Sequence, residues 1–308
     1  MNSSHVPVDT GSMTTTATQV PAQHGAPVIE LEHPVVGGAA ARTLSGTAGL
    51  DVSDVDRAER ISRTRSGELG SVHSWELVTA VDGPGTRLTT FLAGCPLRCL
   101  YCHNPDTMEM RRGEPILATE LIAKMARYRA VFAATGGGVT ISGGEPLMQP
   151  AFLARLLRGA KELGIHTAID TSGFLGAACT DAMIDDLDLV LLDVKSGIPE
   201  TYKRVTGREL QPTLDFGRRL AARGVEMWIR FVLVPGLTDD PANVEAVADY
   251  VAGLATVSRV EVLPFHQMGR DKWEALGMRY ELTDVPAPTP ELVERVREQF
   301  RSRSLQVF

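Results

Sequence analysis

From residue 69 onward the chain alternates short apolar runs with amphipathic stretches of helical period, through six strands. The expected strands cover residues 87–92, 138–142, 165–170, 188–193, 225–234 and 259–264. Expected helices lie near 118–130, 180–187, 213–222 and 290–302, the last burying Leu292, Val293, Val296 and Phe300. Another puts Phe152, Leu153, Leu156, Leu157, Ala160 and Leu163 on one face and stops at Gly164. A sixth takes Asp240 as N-cap and Pro241 as its first residue, with Val244, Val247, Val251 and Leu254 inward. The run Asp188-Leu-Val-Leu-Leu-Asp193 is apolar almost throughout, as a strand covered on both faces should be. This pattern demands an α/β fold, a parallel sheet with helices outside. It is either open and doubly wound or curled into a partial, TIM-like (β/α)6 barrel.

Both architectures put ligands at the carboxyl ends of the strands. The unusual residues fall there after every strand. Cysteines follow the first, Gly143-Gly144-Glu145 the second, and Asp170-Thr171-Ser172 closes the third. Asp193-Val194-Lys195 ends the fourth, Pro235-Gly236 the fifth, and His266 the sixth. That alignment predicts one site assembled from all the strands.

The chemistry concentrates in Cys95-Pro-Leu-Arg-Cys99-Leu-Tyr-Cys102-His103, which holds three of the four cysteines. Spacings of four and three let three thiolates converge on one centre, and three ligands leave a coordination position open. An iron–sulfur cluster takes such ligands, commonly four of them. A zinc site with His103 as fourth ligand is the structural alternative, although adjacent side chains rarely point at one ion. A Cys99–Cys102 dithiol is another, and it leaves Cys95 unexplained. Cys179 stands alone and reads as an inert buried thiol.

The other candidates each have a plainer reading. Gly143-Gly144-Glu145 is either a tight turn or a close approach of backbone to a ligand, with Glu145 or the turn carbonyls meeting a positive group. Asp193 and Lys195 share side-chain parity, so they form a local ion pair or receive a charged ligand. His266 caps a strand end or touches a ligand, and His73, His103 and His166 take no role from spacing. Arg230 inside an apolar strand needs a partner, which makes it a site candidate.

Net charge of −7 gives no reason to expect nucleic acid or anionic membrane as partner. No run reaches the roughly 18 apolar residues of a spanning helix. The start, Met1-Asn-Ser-Ser-His5, lacks a signal peptide's basic and apolar segments. Clustered cysteines favour a reducing compartment, so the expectation is cytoplasmic. Residues 1–68 read as a flexible, low-complexity extension without chemistry, and 69–308 as the catalytic domain. Within 50–66 a short helix is diluted by Ser and Asp.

These residues resemble a known family. Cys95-x-x-x-Cys99-x-Tyr101-Cys102 is similar to the signature of radical S-adenosylmethionine enzymes, and Gly143-Gly144-Glu145-Pro146 to their second motif. Within that superfamily the chain resembles the pyruvate formate-lyase activating enzymes, which activate a glycyl radical enzyme. The stretches that carry this include Val81-Asp-Gly-Pro-Gly85, Gly164-Ile-His-Thr-Ala-Ile-Asp-Thr-Ser-Gly-Phe174, Asp188-Leu-Val-Leu-Leu-Asp-Val-Lys195 and Leu263-Pro-Phe-His-Gln-Met-Gly-Arg-Asp-Lys-Trp273. The resemblance spans about residues 70–308.

It implies that Cys95, Cys99 and Cys102 hold one [4Fe-4S] cluster whose free iron is chelated by S-adenosylmethionine. Tyr101, Cys102, His103, Gly144, Asp193, Val194, Lys195, Arg230 and His266 would line that cofactor, with Lys195 meeting its carboxylate and His266 its adenosine. Asp170, Thr171, Asp193 and a main-chain oxygen near Leu191 would hold a monovalent cation. Asp82 and Gly83 would contact the glycine loop of the partner, pyruvate formate-lyase. A 5′-deoxyadenosyl radical would take the glycine's hydrogen, with no side chain acting as acid or base. The electron donor would be of flavodoxin or ferredoxin type, and the enzyme a monomer. Ser172 and Phe265 stand where Asn and Tyr are common in the family, and there is no second cysteine-rich insert.

Overall fold

A computed structural model of the protein describes residues 46–79 and 81–308. Helix α1 (Arg57–Arg65) precedes strands β1 (Leu69–Thr79), β2 (Thr86–Leu92) and β3 (Glu114–Leu117). Helices α2 (Ala118–Arg127) and α3 (Arg129–Thr135) lead to β4 (Gly138–Gly143), α4 (Pro150–Glu162), β5 (His166–Thr171), α5 (Asp181–Asp185) and β6 (Leu189–Asp193). Then come α6 (Pro199–Thr206), α7 (Gln211–Ala222), β7 (Glu226–Leu233), α8 (Pro241–Ala252), β8 (Val257–Pro264), α9 (Arg270–Ala275) and α10 (Pro290–Arg301).

One sheet runs β3-β1-β2-β4-β5-β6-β7-β8. The six expected strands are its parallel part, from β2 to β8. Their order never reverses. A doubly wound sheet has a switch point; here every crossover runs the same way, which puts the helices on one face and curls the other inward. The outer face carries Leu88, Val139, Ile141, Ile169, Val190, Leu192, Ile229 and Val260 in the main core. The inner face is sparse in apolar contacts, with Ala168, Leu189 and Leu191 beside Trp228. The architecture is the partial barrel, and its edge strands β3 and β8 do not pair with each other.

Several expectations need correction. The sequence reading missed β1 and β3, which add antiparallel to the parallel part. In β1 the register shifts between Val72 and Ser74, so the period-two signal breaks midway. The expected helix over 118–130 is divided at Tyr128, whose ring packs 6.5 Å from Trp75 and 6.4 Å from Phe132. Helices α6 and α9 were unread, and α5 is shorter than expected.

The extension expected over 1–68 is shortened. Its residues 1–45 lie outside the described residues, but 46–68 belong to the folded body. Leu50 is buried in the main core, Gly46 bridges Ser74, and Val52 bridges Ile116. The Trp75 indole donates to the Ala48 carbonyl at 2.8 Å, and Asp56 caps α1. At the opposite edge, Val260 N–H donates to Gln306 O at 2.8 Å and Phe308 N–H to Val260 O at 2.9 Å. Among the described residues no helix is long and apolar enough to cross a membrane.

Candidate active site

The cysteines occupy the connection after β2, at the carboxyl end of the parallel strands, as the alternation predicts. The loop is held from both flanks. Gly94 N–H donates to Thr107 O at 2.7 Å and Cys95 N–H to Met108 O at 3.0 Å. Arg98 and Leu100 N–H groups donate to Thr206 O (2.8 Å) and Val205 O (3.0 Å) at the end of α6. The Trp273 indole of α9 donates to Cys102 O at 2.9 Å. Gly269 packs so closely on Cys102 that a Cβ there would fall 2.8 Å from its carbonyl.

All four cysteines are free thiols. Burial, then the neighbouring Cys99, pushes Cys95 up to about 12, and burial with Cys99 does the same to Cys102. Cys99 is also raised, first by burial. Three neighbouring thiols, Cys99 buried and Cys95 and Cys102 half-buried, hold their protons until a cationic centre displaces them, which is how soft-metal sites form. This donor set fits an iron–sulfur cluster. His103, the fourth ligand of the zinc alternative, is engaged elsewhere. Its ring stacks on His266 with centroids 4.2 Å apart, and its Nε2 lies 3.2 Å from the His266 carbonyl. Cys179 is remote in the main core, as expected of an inert thiol.

Beneath the loop, Lys195 Nζ donates to Asp193 Oδ2 at 3.0 Å and lies 5.7 Å from the centre of the Tyr101 ring. Lys195 is 9% exposed. Burial, the largest single influence, would lower its pKa, but Asp193, Cys99 and Tyr101 together outweigh it and hold the ammonium well above the ordinary lysine value. The Tyr101 hydroxyl is buried without a hydrogen-bond partner among the described residues, and so is Asp170 Oδ1. Unpaired buried oxygens are costly, so each fits a missing polar group or ion.

Asp170 Oδ2 accepts from Ser142 Oγ at 2.9 Å and pairs with Arg230 at 3.2 Å. Burial pushes the Asp170 carboxyl up, against the pull of Arg230. Arg230 also meets Glu261 at 3.1 Å and Asp82 at 3.5 Å, and donates to Val81 O at 2.6 Å. Its partners are these three carboxylates, which together outweigh burial and hold the guanidinium charged. In register, Asp170 pairs with Leu191, and Asp193 with Arg230.

Some expected contacts do not form. Glu145 is not free to meet a positive group, because its carboxylate accepts from Thr171 Oγ1 (2.7 Å), Ser172 Oγ (2.6 Å), Ser172 N (3.0 Å) and Leu147 N (3.1 Å). Thr171 donates its hydroxyl hydrogen to Glu145, which leaves only oxygen lone pairs to meet a cation. Gly144 has no Cβ because one would sit 2.4 Å from Gly94 O, which is the tight-turn reading. Val194 points its side chain into the outer core, leaving only backbone to the site. Gly83, at φ +120°, packs against Arg87. The sequence reading also missed Ser142, Glu261 and Trp273. Ser142 and Glu261 share strand parity with inner-face residues, a signal that was available; Trp273 offered none.

Comparison with known proteins agrees with this geometry. The family model for the radical SAM superfamily matches residues 89–246. The pyruvate formate-lyase-activating enzyme of Clostridium pasteurianum is 42% identical over 233 residues, 76% of this chain and 98% of its own. The pyruvate formate-lyase 1-activating enzyme of Escherichia coli K12 is 40% identical over 233 residues, 74% of this chain and 94% of its own. A crystal structure of a radical SAM methyltransferase from Sphaerobacter thermophilus superposes with a TM-score of 0.52 at 17% identity, covering 82% of this chain and 81% of that one. At that identity the likeness speaks for the fold alone.

Proposed function

The chain belongs to the radical SAM superfamily and, within it, to the pyruvate formate-lyase-activating enzymes, and from that premise we propose how its residues divide the work. It activates pyruvate formate-lyase by generating a radical on a backbone glycine. A [4Fe-4S] cluster held by Cys95, Cys99 and Cys102 would supply the electron for reductive cleavage of S-adenosylmethionine, the source of the radical that takes the glycine's hydrogen.

The chain's own residues bind, orient and exclude. Cys95, Cys99 and Cys102 hold the cluster by three thiolates. Lys195, kept charged by Asp193, receives the carboxylate of S-adenosylmethionine. Tyr101, the stacked pair His103 and His266, Gly144 and the Val194 backbone would line it. Asp170, with Thr171, the Leu191 carbonyl and Asp193, holds a monovalent cation; the orphaned Asp170 Oδ1 supports this. Arg230 joins that carboxylate group to Asp82, and Asp82 with Gly83 faces the glycine loop of the lyase. The reading includes a flavodoxin- or ferredoxin-type donor, a monomer, and a reducing cytoplasm in which four thiols stay free.

The observation that carries the reading is the triad of free thiols, Cys99 buried and Cys95 and Cys102 half-buried, beside the Lys195–Asp193 pair at the strand ends of a partial barrel. Reconstituted anaerobically with iron and sulfide, reduced, and mixed with S-adenosylmethionine and pyruvate formate-lyase, the protein is expected to give a glycyl radical signal by electron paramagnetic resonance. Zinc retained by the three cysteines, with no signal, would sink it.

A further inference from the structure

The cysteine loop has two sides of opposite character. Cys99 and Tyr101 are buried toward Lys195, whereas Arg98 is exposed. Around that outer side the fold collects cations from three separate segments. The Arg98 guanidinium donates to the carbonyls of Cys95 (2.8 Å) and Leu97 (2.7 Å), and Arg208 donates to the carbonyl of Pro96 at 2.7 Å. The loop's hydrogen bonds to Val205 and Thr206 bring the exposed Lys203 and Arg204 of α6 alongside. Arg98 and Arg112 line one small hollow, and Arg111 beside them is 82% exposed. Six basic side chains meet three carboxylates here, Glu109, Glu200 and Glu209, on a chain whose net charge is −7. A basic patch against that background is a local field, able to steer an oppositely charged protein.

We propose that this face docks a small acidic redox protein that reduces the cluster. The inference rests on the functional reading above. In each encounter the donor's redox group loses one electron and the cluster gains it, passing from the 2+ to the 1+ state with no proton or atom exchanged. Electron transfer weakens steeply with distance, so a donor must approach the cluster-bearing loop from outside. The strand-end mouth, bounded by Lys195, Asp170 and Arg230, is left to S-adenosylmethionine and the lyase. Electron entry and radical exit therefore use opposite sides of one loop.

The test uses the reconstituted full chain and a triple variant, Arg112→Glu, Lys203→Glu and Arg204→Glu, none of which bonds to the cysteine loop. Cluster reduction is followed by loss of visible absorbance, with reduced flavodoxin and, separately, with dithionite. The expected result is a rate with flavodoxin lower by about tenfold or more, the low end of electrostatic steering, and a loss of its salt dependence. The dithionite rate and iron content should be unchanged. Equal flavodoxin rates in the variant and the unaltered protein would overturn the proposal. So would a variant that, reduced by dithionite, fails to activate pyruvate formate-lyase, because the patch would then belong to the lyase. If dithionite reduction of the unaltered protein yields no cleavage of S-adenosylmethionine, the functional reading itself fails.

Discussion

Lys195 Nζ and Asp193 Oδ2 stand 3.0 Å apart in a pocket where the lysine is 9% exposed, so the buried ammonium keeps a carboxylate partner in place of water. Lys195→Met would leave Asp193 without its cation and remove the group proposed above to receive a carboxylate. The expected effect is a 10- to 100-fold weaker Kd for S-adenosylmethionine, roughly 1.4–2.8 kcal/mol. Iron content should be unchanged, since Lys195 is not a thiol ligand. Equilibrium binding to the reconstituted protein, alongside iron analysis, checks both halves; unaltered affinity would remove Lys195 from the site.

A second pair ties β5 to β6 away from the chemistry. Asp188 accepts from Lys161 Nζ at 2.7 Å and from Thr167 N at 2.9 Å. Burial opposes its charge, but Lys161 and the Thr167 amide prevail and hold the carboxyl below its ordinary range. The unfolded chain then binds the proton more tightly, so the contribution to stability is present above about pH 4, the usual aspartate range, and fades as pH falls through the lower folded value. Side-chain exposures of 31% and 33% mean solvent screens the pair. Asp188→Asn should therefore cost only about 1 kcal/mol at neutral pH. In thermal melts the gap between the two proteins should close below pH 4; a gap independent of pH would contradict the assignment.

How far the sequence could be read follows from which signals are local. The six parallel strands and their polar ends were legible because fully buried strands are continuous apolar runs, as in Asp188-Leu-Val-Leu-Leu-Asp193. The cysteine triad was legible from spacing. Strand β1 was not, because the shift between Val72 and Ser74 erases its alternation. Glu145 illustrates a different loss. Its neighbours Thr171 and Ser172 are 26 and 27 residues away, so nothing local distinguished a carboxylate bound internally from one offered to a ligand. Arg230 was singled out by a need for partners, and those partners lie on β5, β8 and the loop before β2. Only the fold could name them.

Residues before β1 contribute stability even though they lie outside the strand-end site. Leu50 is 8% exposed within the main core, and Ala48 satisfies the Trp75 indole. Leu50→Ala should cost about 2–3 kcal/mol, the lower part of the range for a buried leucine. Deleting residues 2–65 should lower Tm further, while the thiol loop and the Lys195 pair stay intact. Melting curves together with cleavage of S-adenosylmethionine below the new Tm check this; loss of cleavage at low temperature would tie the segment to catalysis.

The loop that carries Asp82 is wrapped around an arginine. Arg87 is fully buried and forms no ion pair among the described residues. Burial pulls its pKa down to about 10, against Asp82 and Asp188. What stabilises it is a set of neutral acceptors: Thr140 Oγ1 at 2.6 Å, Pro84 O at 3.3 Å, and the carbonyl of Val139. Thr140 Oγ1 in turn donates to Asp82 O at 2.7 Å, and a Cβ on Gly83 would lie 2.8 Å from Arg87 Cδ. Residues 82–84 are thus moulded on one side chain, whose other contacts are with Val139 and His166. Arg87→Met removes these bonds but also the cost of burying an unpaired cation, so folding should change little. The loop would regain part of its freedom, the equivalent of one released residue or about 1–2 kcal/mol. That loss should appear as a KM for pyruvate formate-lyase raised about tenfold, roughly 1.4 kcal/mol, with cleavage of S-adenosylmethionine in the absence of lyase unchanged. Arg87→Lys keeps one donor and should recover part of the KM. Asp82→Asn separates the two assumptions: an unchanged KM there removes Asp82 from the lyase contact. A raised KM in Asp82→Asn with none in Arg87→Met shows that the loop keeps its shape without its post.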